Sequence, residues 1–447
     1  MEPIEGCRLV KGQAAAVLPS QQPSTMPVLE SRPMLSVTNL LCDVQAGNER
    51  LRYGHTHRDR VAAAQRQARR ADAGAAPADR GYPSAPRPVT VWALTKACNL
   101  RCVHCYASAS AGPAANELTS AEGMALLDDL KAFGVPAVLF SGGEPLVRAD
   151  AVDLIAYARS IGLNATLSTN GLLIDDAMAD RLADIGLTYA GISIDGIPSR
   201  HDKLRGLEGA FAGTVDAIRR CRARGIKVGV RFTVHALNAD DLDSIFDICL
   251  EQGVERLCVY HLAYAGRGGK MQRVDLTTPQ TRQVVDRIFE RTRQAAGEGR
   301  KLEVLTVGNH ADAAYLLMHL DRNDPRQAAV ARERLGGTGG NRSGCNIASI
   351  DPIGNVHYDQ FSWHYSCGNV RQTPFSQIWG EARDARLAIL RDRARYLPDR
   401  CQSCRFVSIC NGNLRTRAET ATGDWLGQDP SCYLSDEEIH PAAAAAN

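Results

Sequence analysis

Three cysteines fall within the eight residues 98–105 of the stretch "KACNLRCVHCYASA": Cys98, Cys102 and Cys105, spaced C-x3-C-x2-C. No fourth cysteine lies nearby. A closed zinc site takes four ligands, and so does an all-cysteine iron–sulfur cubane. A trio on one loop can hold three irons of a cubane and leave the fourth iron open, where a second molecule can bind. A three-cysteine zinc loop is the plain alternative. A second group, Cys401, Cys404, Cys410 and Cys432, reads C-x2-C-x5-C with a distant fourth member and offers a full set of sulfurs for a cluster or for zinc.

Other chemistry-bearing motifs close predicted strands. "VTVWALT" (89–95) precedes the cysteine loop, and "PAVLF" (136–140) precedes "SGGEP". "NATLS" (164–168) runs into "STNG", and "TYAGISI" (188–194) into "SIDG". Arg231 lies within "KVGVRFTVH" (227–235), and "ERLCVYHLA" (255–263) leads to "HLAYAGR". "LEVLT" (302–306) reads as a last strand. Helical patterns separate the strands. The first carries a capping box, Thr119 with Glu122, and the last has Pro279 in its first turn. This alternation predicts a parallel sheet with right-handed crossovers, with functional residues at the strands' C-terminal ends. Six units are too few for a closed eightfold barrel, so the expected fold is α/β, a curved and partly open (β/α)6 TIM-like barrel over 89–308.

The flanks differ. Residues 1–33 lack periodicity and read as disorder or a mis-assigned start, and 34–88 as an N-terminal arm rich in Arg, Ala and Pro. A helical, glycine-rich linker (309–344) leads to a small α+β cysteine-rich domain (345–439) with a hairpin and a helix near 376–394, then a tail (440–447).

The chain has 447 residues, 44% hydrophobic and 23% charged, with net charge +2. That balance gives no global argument for nucleic acid or an anionic membrane. No apolar run reaches the length of a membrane span, and charge interrupts the N-terminus where a signal peptide would need an apolar core. Clustered thiols in a large unexported chain read as metal ligands in a reducing cytoplasm, not as a disulfide scaffold.

The triple cysteine followed by Tyr106, with "GGEP" on the next strand, resembles the radical S-adenosylmethionine (SAM) superfamily. The resemblance implies that Cys98, Cys102 and Cys105 bind a 4Fe-4S cluster whose open iron chelates the amino and carboxylate groups of SAM. It places the Gly142 and Gly143 backbone against the methionyl amine, with Glu144 offsetting its charge. One electron from the cluster then breaks the sulfonium–C5′ bond, and the 5′-deoxyadenosyl radical takes a substrate hydrogen. Ser168, Asn170, Asp195 and Arg231 become SAM contacts and Tyr106 a partner for adenine. Turn formation (Ser168, Asn170), helix capping (Asp195), ion pairing (Arg231) and core packing (Tyr106) are the alternatives.

The C-terminal cysteines resemble a SPASM, or twitch-like, domain, which implies a second 4Fe-4S cluster on Cys401, Cys404, Cys410 and Cys432. Where the pattern of a further cluster wants cysteine, this chain has Leu414. Cys345 and Cys367 stand open between a partial metal site and plain structural roles.

"YHLAYAGRG", "LTVGNHADA", "GNVHYDQF" and "CNGNLRTRAE" resemble the tetrapyrrole-modifying radical SAM enzymes. The implied reaction removes the two acetate side chains of 12,18-didecarboxysiroheme to give iron-coproporphyrin III. The alternatives are modification of propionates in d1-type haem synthesis, maturation of a peptide, and a non-enzymatic metal scaffold. The implied partners are an anionic iron tetrapyrrole and a reduced ferredoxin or flavodoxin-type donor. Candidate substrate contacts are His261, Arg267, Lys270, His310, His357, Arg415 and Arg417, with His364 beside them. A solvated face or a structural histidine is the bland reading of each.

Overall fold

Seven successive strands lie parallel, each paired with the next, in the computed structural model, which describes residues 35–43, 85–336 and 339–440. They are β1 (Val89–Ala93), β2 (Val138–Ser141), β3 (Ala165–Thr169), β4 (Tyr189–Ser193), β5 (Lys227–Val234), β6 (Arg256–His261) and β7 (Glu303–Val307). Strands covered on both faces need apolar side chains at nearly every position, and β1 is buried throughout. The predicted capping box closes the start of helix Ser120–Phe133, which ends at Gly134 with a left-handed φ of 87°. Helix Thr278–Gly297 starts with Pro in its first turn and a Thr277–Gln280 capping box.

The sheet does not stop at 308. β8 (Ile347–Ile350) pairs parallel with β1, and β9 (Asn355–His357) and β10 (Gly368–Asn369) follow antiparallel, giving the order β10-β9-β8-β1-β2-β3-β4-β5-β6-β7. The hairpin expected in a separate C-terminal domain therefore extends the barrel sheet and covers the free edge of β1. At the other edge, β7 packs against the helix Val37–Leu41. Thr38 hydrogen bonds Leu302 and Val304 there, and Ser36 bridges Leu305. The barrel stays open between β7 and β8.

Two expected helices are broken. The segment 310–333 becomes Ala311–Asn323 and Pro325–Gly336, because Pro325 cannot continue the hydrogen-bond ladder. The helix near 376–394 becomes Phe375–Glu381 and Ala385–Arg391, parted at left-handed Ala382. A short helix not foreseen, Pro198–Arg205, follows β4 and backs the cysteine loop: Arg101 and Val103 donate to the carbonyls of Arg205 and Leu204. The readings of 1–33, 44–84 and 441–447 lie outside the described residues.

Candidate active site

The cysteine loop leaves β1 and folds over the C-terminal ends of β2 to β6. Cys98, Cys102 and Cys105 line one cavity there, with Tyr106, Gly142, Gly143, Ser168, Asn170, Arg231 and His261. Two glycines fix the floor. Gly143 donates to the Thr95 carbonyl, and a Cβ on it would lie 2.3 Å from the Ala97 oxygen. Gly142, at φ 150°, would put a Cβ 2.7 Å from the Thr95 oxygen. Both contacts are with backbone, which cannot swing aside, so only glycine lets the loop base sit on β2.

Gly266, with φ 55°, does the same from β6: a Cβ there would meet the carbonyls of Tyr106 and Cys105. Its neighbour Arg267 donates to the carbonyls of Cys102 (2.8 Å) and Ala109 (2.6 Å). Arg267 thus straps the cysteine loop down instead of standing free for a substrate carboxylate. Only its Nη2 is buried without a partner.

The loop is also held by groups the motifs did not single out. Arg205 places Nη1 3.5 Å from Cys102 Sγ and pairs through Nη2 with Asp195 at 2.5 Å. Asp195 also meets His104 at 3.1 Å and accepts from the Thr233 amide. Burial opposes its charge, but Arg205 and His104 beside it hold the carboxyl well below the usual range. Asp195 is wholly buried and absent from the cavity lining, and it braces Arg205 there. Arg205 was invisible in the sequence because 103 positions separate it from Cys102.

Glu144 is tied into the same end of the sheet. It is wholly buried, and its carboxylate accepts from Thr169 Oγ1, the Asn170 amide and the Leu146 amide. Burial pushes it up to about 7 against those bonds. It ties β2 to the end of β3, and its charge is near enough to Cys98 to add to burial in pushing that thiol up. Asn170 reaches the loop: its side-chain nitrogen donates to Asn99 at 2.7 Å and lies 4.0 Å from Cys98 Sγ. Tyr106 hydrogen bonds Ser141 and packs edge-on against Phe361, with centroids 5.3 Å apart.

Arg231 crosses Gly191 of β4, where a Cβ would strike its guanidinium, and donates to Ser168. Its Nε is buried without a partner. A buried cation with an unmet donor at the floor of a thiol-lined cavity suits an anionic carboxylate. His261 lines the same cavity, and its Nε2 sits 2.9 Å from Asp312, which Tyr433 also bonds.

The remaining substrate candidates separate. Lys270 is exposed and outside the cavity. His357 is buried in β9 between the Tyr365 carbonyl (2.7 Å) and Asp351 (3.3 Å), a structural role. His364 pairs with Glu419. Arg417 is fully buried, forks onto Asp429 at 2.7 and 2.9 Å, and donates to the carbonyls of Leu262 and Gly308. It therefore fastens the C-terminal segment to the ends of β6 and β7, with four of its five N–H donors engaged by the fold. Arg417→Met leaves Asp429 buried and unpaired. The expected cost is about 3–5 kcal/mol, read as a lower denaturant midpoint; an unchanged midpoint contradicts the assignment. Arg415 is fully buried beside Cys401 and Cys410 and donates to the carbonyls of Trp425 and Gly427.

Cys401, Cys404, Cys410 and Cys432 gather at the turns around the helix Val407–Cys410, and Arg400 Nη1 lies 3.6 Å from Cys432 Sγ. Cys345 and Cys367 lie apart from this group, packed into the core near Arg391. Among the described residues no three His, Cys, Asp or Glu side chains converge on a single ion-sized point.

The radical SAM superfamily model matches residues 92–249. The Fe-coproporphyrin III synthase of Methanosarcina barkeri is 49% identical over 356 residues, covering 79% of this chain and 89% of that one. The chain belongs to the radical SAM superfamily. The pre-heme d1 synthase of Dinoroseobacter shibae is 43% identical, covering 80% and 89%. Among solved structures, Streptococcus suis SuiB bound to S-adenosylmethionine superposes with TM-score 0.62 at 17% identity, over 78% of this chain and 77% of that one. The enzyme anSMEcpe with bound AdoMet and a peptide gives 0.60 at 17%, over 79% and 95%. These structures share the fold, a partial barrel with a C-terminal extension.

Radical SAM enzymes carry a 4Fe-4S cluster and SAM, and this cavity fits both. Among the described residues the soft donors on its wall are three thiols, backed by a glycine floor, and Arg231 offers an unmet hydrogen-bond donor at Nε.

Proposed function

We propose that this radical SAM enzyme acts on an iron tetrapyrrole and removes the two acetate side chains of 12,18-didecarboxysiroheme, giving iron-coproporphyrin III. The 49% identity to an Fe-coproporphyrin III synthase, spread over 89% of that protein, carries the reading. When bound, the cluster and SAM supply a radical able to abstract hydrogen from carbon. The chain's residues do the rest. Cys98, Cys102 and Cys105 hold the cluster at the barrel mouth, and Arg231 with Ser168 takes a carboxylate of SAM. Asn170 fixes the loop beside Cys98. Tyr106 and Phe361 form an apolar wall that keeps water from the reacting carbon.

Of the cations expected for the polyacid substrate, Arg417 and Arg267 are engaged by the fold, and Arg415 keeps Nε and Nη2 buried without partners beside Cys401 and Cys410. The auxiliary set Cys401, Cys404, Cys410 and Cys432 holds a second 4Fe-4S cluster, with Arg400 and Arg415 lowering the cost of its negative charge. Electrons come from a reduced ferredoxin or flavodoxin-type protein. The setting is the reducing cytoplasm: none of the described cysteines is in a disulfide, and no described helix is long and apolar enough to cross a membrane.

The second reading, modification of propionates as in d1-type haem synthesis, draws on the 43% identity to a pre-heme d1 synthase. One assay separates them. The anaerobically reconstituted enzyme is given SAM, dithionite and 12,18-didecarboxysiroheme, and tetrapyrrole mass is followed with 5′-deoxyadenosine. Loss of both acetate side chains whole, each with its methylene carbon and not as CO2 alone, is expected. Turnover without loss of acetate mass removes the deacetylation reading.

A further inference from the structure

We propose that a second cavity, set in the open seam of the barrel, receives the body of the macrocyclic substrate, with His310 facing its iron. The proposal rests on the tetrapyrrole reading above. Topology makes the seam: β7 ends the sheet, and the barrel never closes onto β8. The seam cavity is lined by Val307 from β7, Ile347 from β8, Val89 from β1, and Ile409 and Leu414 from the C-terminal segment. It adjoins the cysteine-lined cavity, because Gln360 and Phe361 line both. Two side chains thus stand between the radical chemistry and the seam, and a flat ring wider than either chamber can place its reactive edge in one and its body in the other.

The lining has the matching chemistry. Its aliphatic side chains suit the faces of a macrocycle. Three of its polar atoms are buried without a hydrogen-bond partner: Nδ1 of His310, Oε1 of Gln360 and Nε of Arg342. Unmet polar atoms are costly in a protein interior, and their collection on one wall points to a ligand that satisfies them. Arg342 suits a peripheral carboxylate. The backbone of His310 is pinned by Asn413, whose side chain accepts from its amide at 2.8 Å and bonds Asn309 in turn. Burial lowers the imidazole to about 4, so its nitrogen lone pair is free at neutral pH.

The test is equilibrium binding to the full reconstituted chain, without turnover, using iron(III)-coproporphyrin III and metal-free coproporphyrin III as separate probes. The wild type binds both. His310→Ala is expected to weaken the iron form about tenfold, to remove the Soret and electron paramagnetic resonance signatures of imidazole-bound iron, and to leave the metal-free form within about twofold. Leu414→Trp fills the seam and weakens both probes about tenfold or more; Leu414→Phe replaces it if the tryptophan variant does not fold. Wild-type affinity and spectra in both variants overturn the seam proposal while leaving the tetrapyrrole reading intact. A wild type that binds neither probe overturns that reading and the seam proposal with it.

Discussion

Cys98→Ala, Cys102→Ala and Cys105→Ala are each expected to reduce SAM cleavage to the protein-free background. Among the described residues the three thiols are the soft ligands on the cavity wall, no carboxylate lies on the loop to replace one, and the loop's His104 is held through Nε2 by Asp195. Removing any of them leaves a cubane with two irons unheld by protein. Iron content separates this from general unfolding: the wild type should hold about eight irons per chain and each variant about four, with the auxiliary site intact. The loop variants should still unfold cooperatively, because the core of β1 to β7 does not depend on these sulfurs. A variant that keeps full iron and cleaves SAM at the wild-type rate would show that the loop does not carry the reactive cluster.

The second large effect is expected from the smallest change. Gly143→Ala adds one methyl group, and that methyl would meet the Ala97 carbonyl oxygen at 2.3 Å and the Lys96 oxygen at 2.7 Å. The loop base must lift, although Gly143 and Glu144 anchor it through hydrogen bonds to Thr95 and Ala97. Cys98 is next in the chain after Ala97, so the displacement passes directly to the first thiol. A shift of about 1 Å at a reacting centre costs about a hundredfold in rate. The variant is expected to fold, to load iron, and to lose about that factor in kcat/KM for 5′-deoxyadenosine formation. Gly112→Ala is the matched control, since nothing lies within 4 Å of its would-be Cβ. Equal activity in the two variants would mean that the glycine floor does not position the cluster loop.

The strands could be read because their signals are local. β-branched runs bounded by turn residues placed β3 to β7 to within two residues at each end, and the Thr119–Glu122 capping box placed the first long helix. The cysteine loop was legible for the same reason, since its three thiols fall within eight residues. What the sequence hid depends on distant partners. Nothing local shows that Ile347–Ile350 would pair with β1 instead of building a separate domain; that choice answers the open edge of β1.

The roles of charged residues were hidden in the same way. Arg417 and Arg267 resemble substrate clamps until their acceptors are seen: Asp429, Leu262 and Gly308 for one, and the loop carbonyls for the other. Asp195 and Glu144 belong to prominent motifs, yet both are buried braces. A motif fixes where a residue stands along the chain, while the direction of its side chain is decided by tertiary packing.

The claim on which the enzyme reading depends is that a cubane held by three sulfurs keeps one iron free for SAM. It can be tested in a Cys404→Ala variant, where the auxiliary signal is removed and the loop cluster is observed alone. The reduced variant is examined by electron–nuclear double resonance with SAM isotopically labelled at its methionyl amino group. Coupling between the labelled nitrogen and the cluster is the predicted result. A spectrum that saturating SAM leaves unchanged, with no coupling to the label, would contradict it.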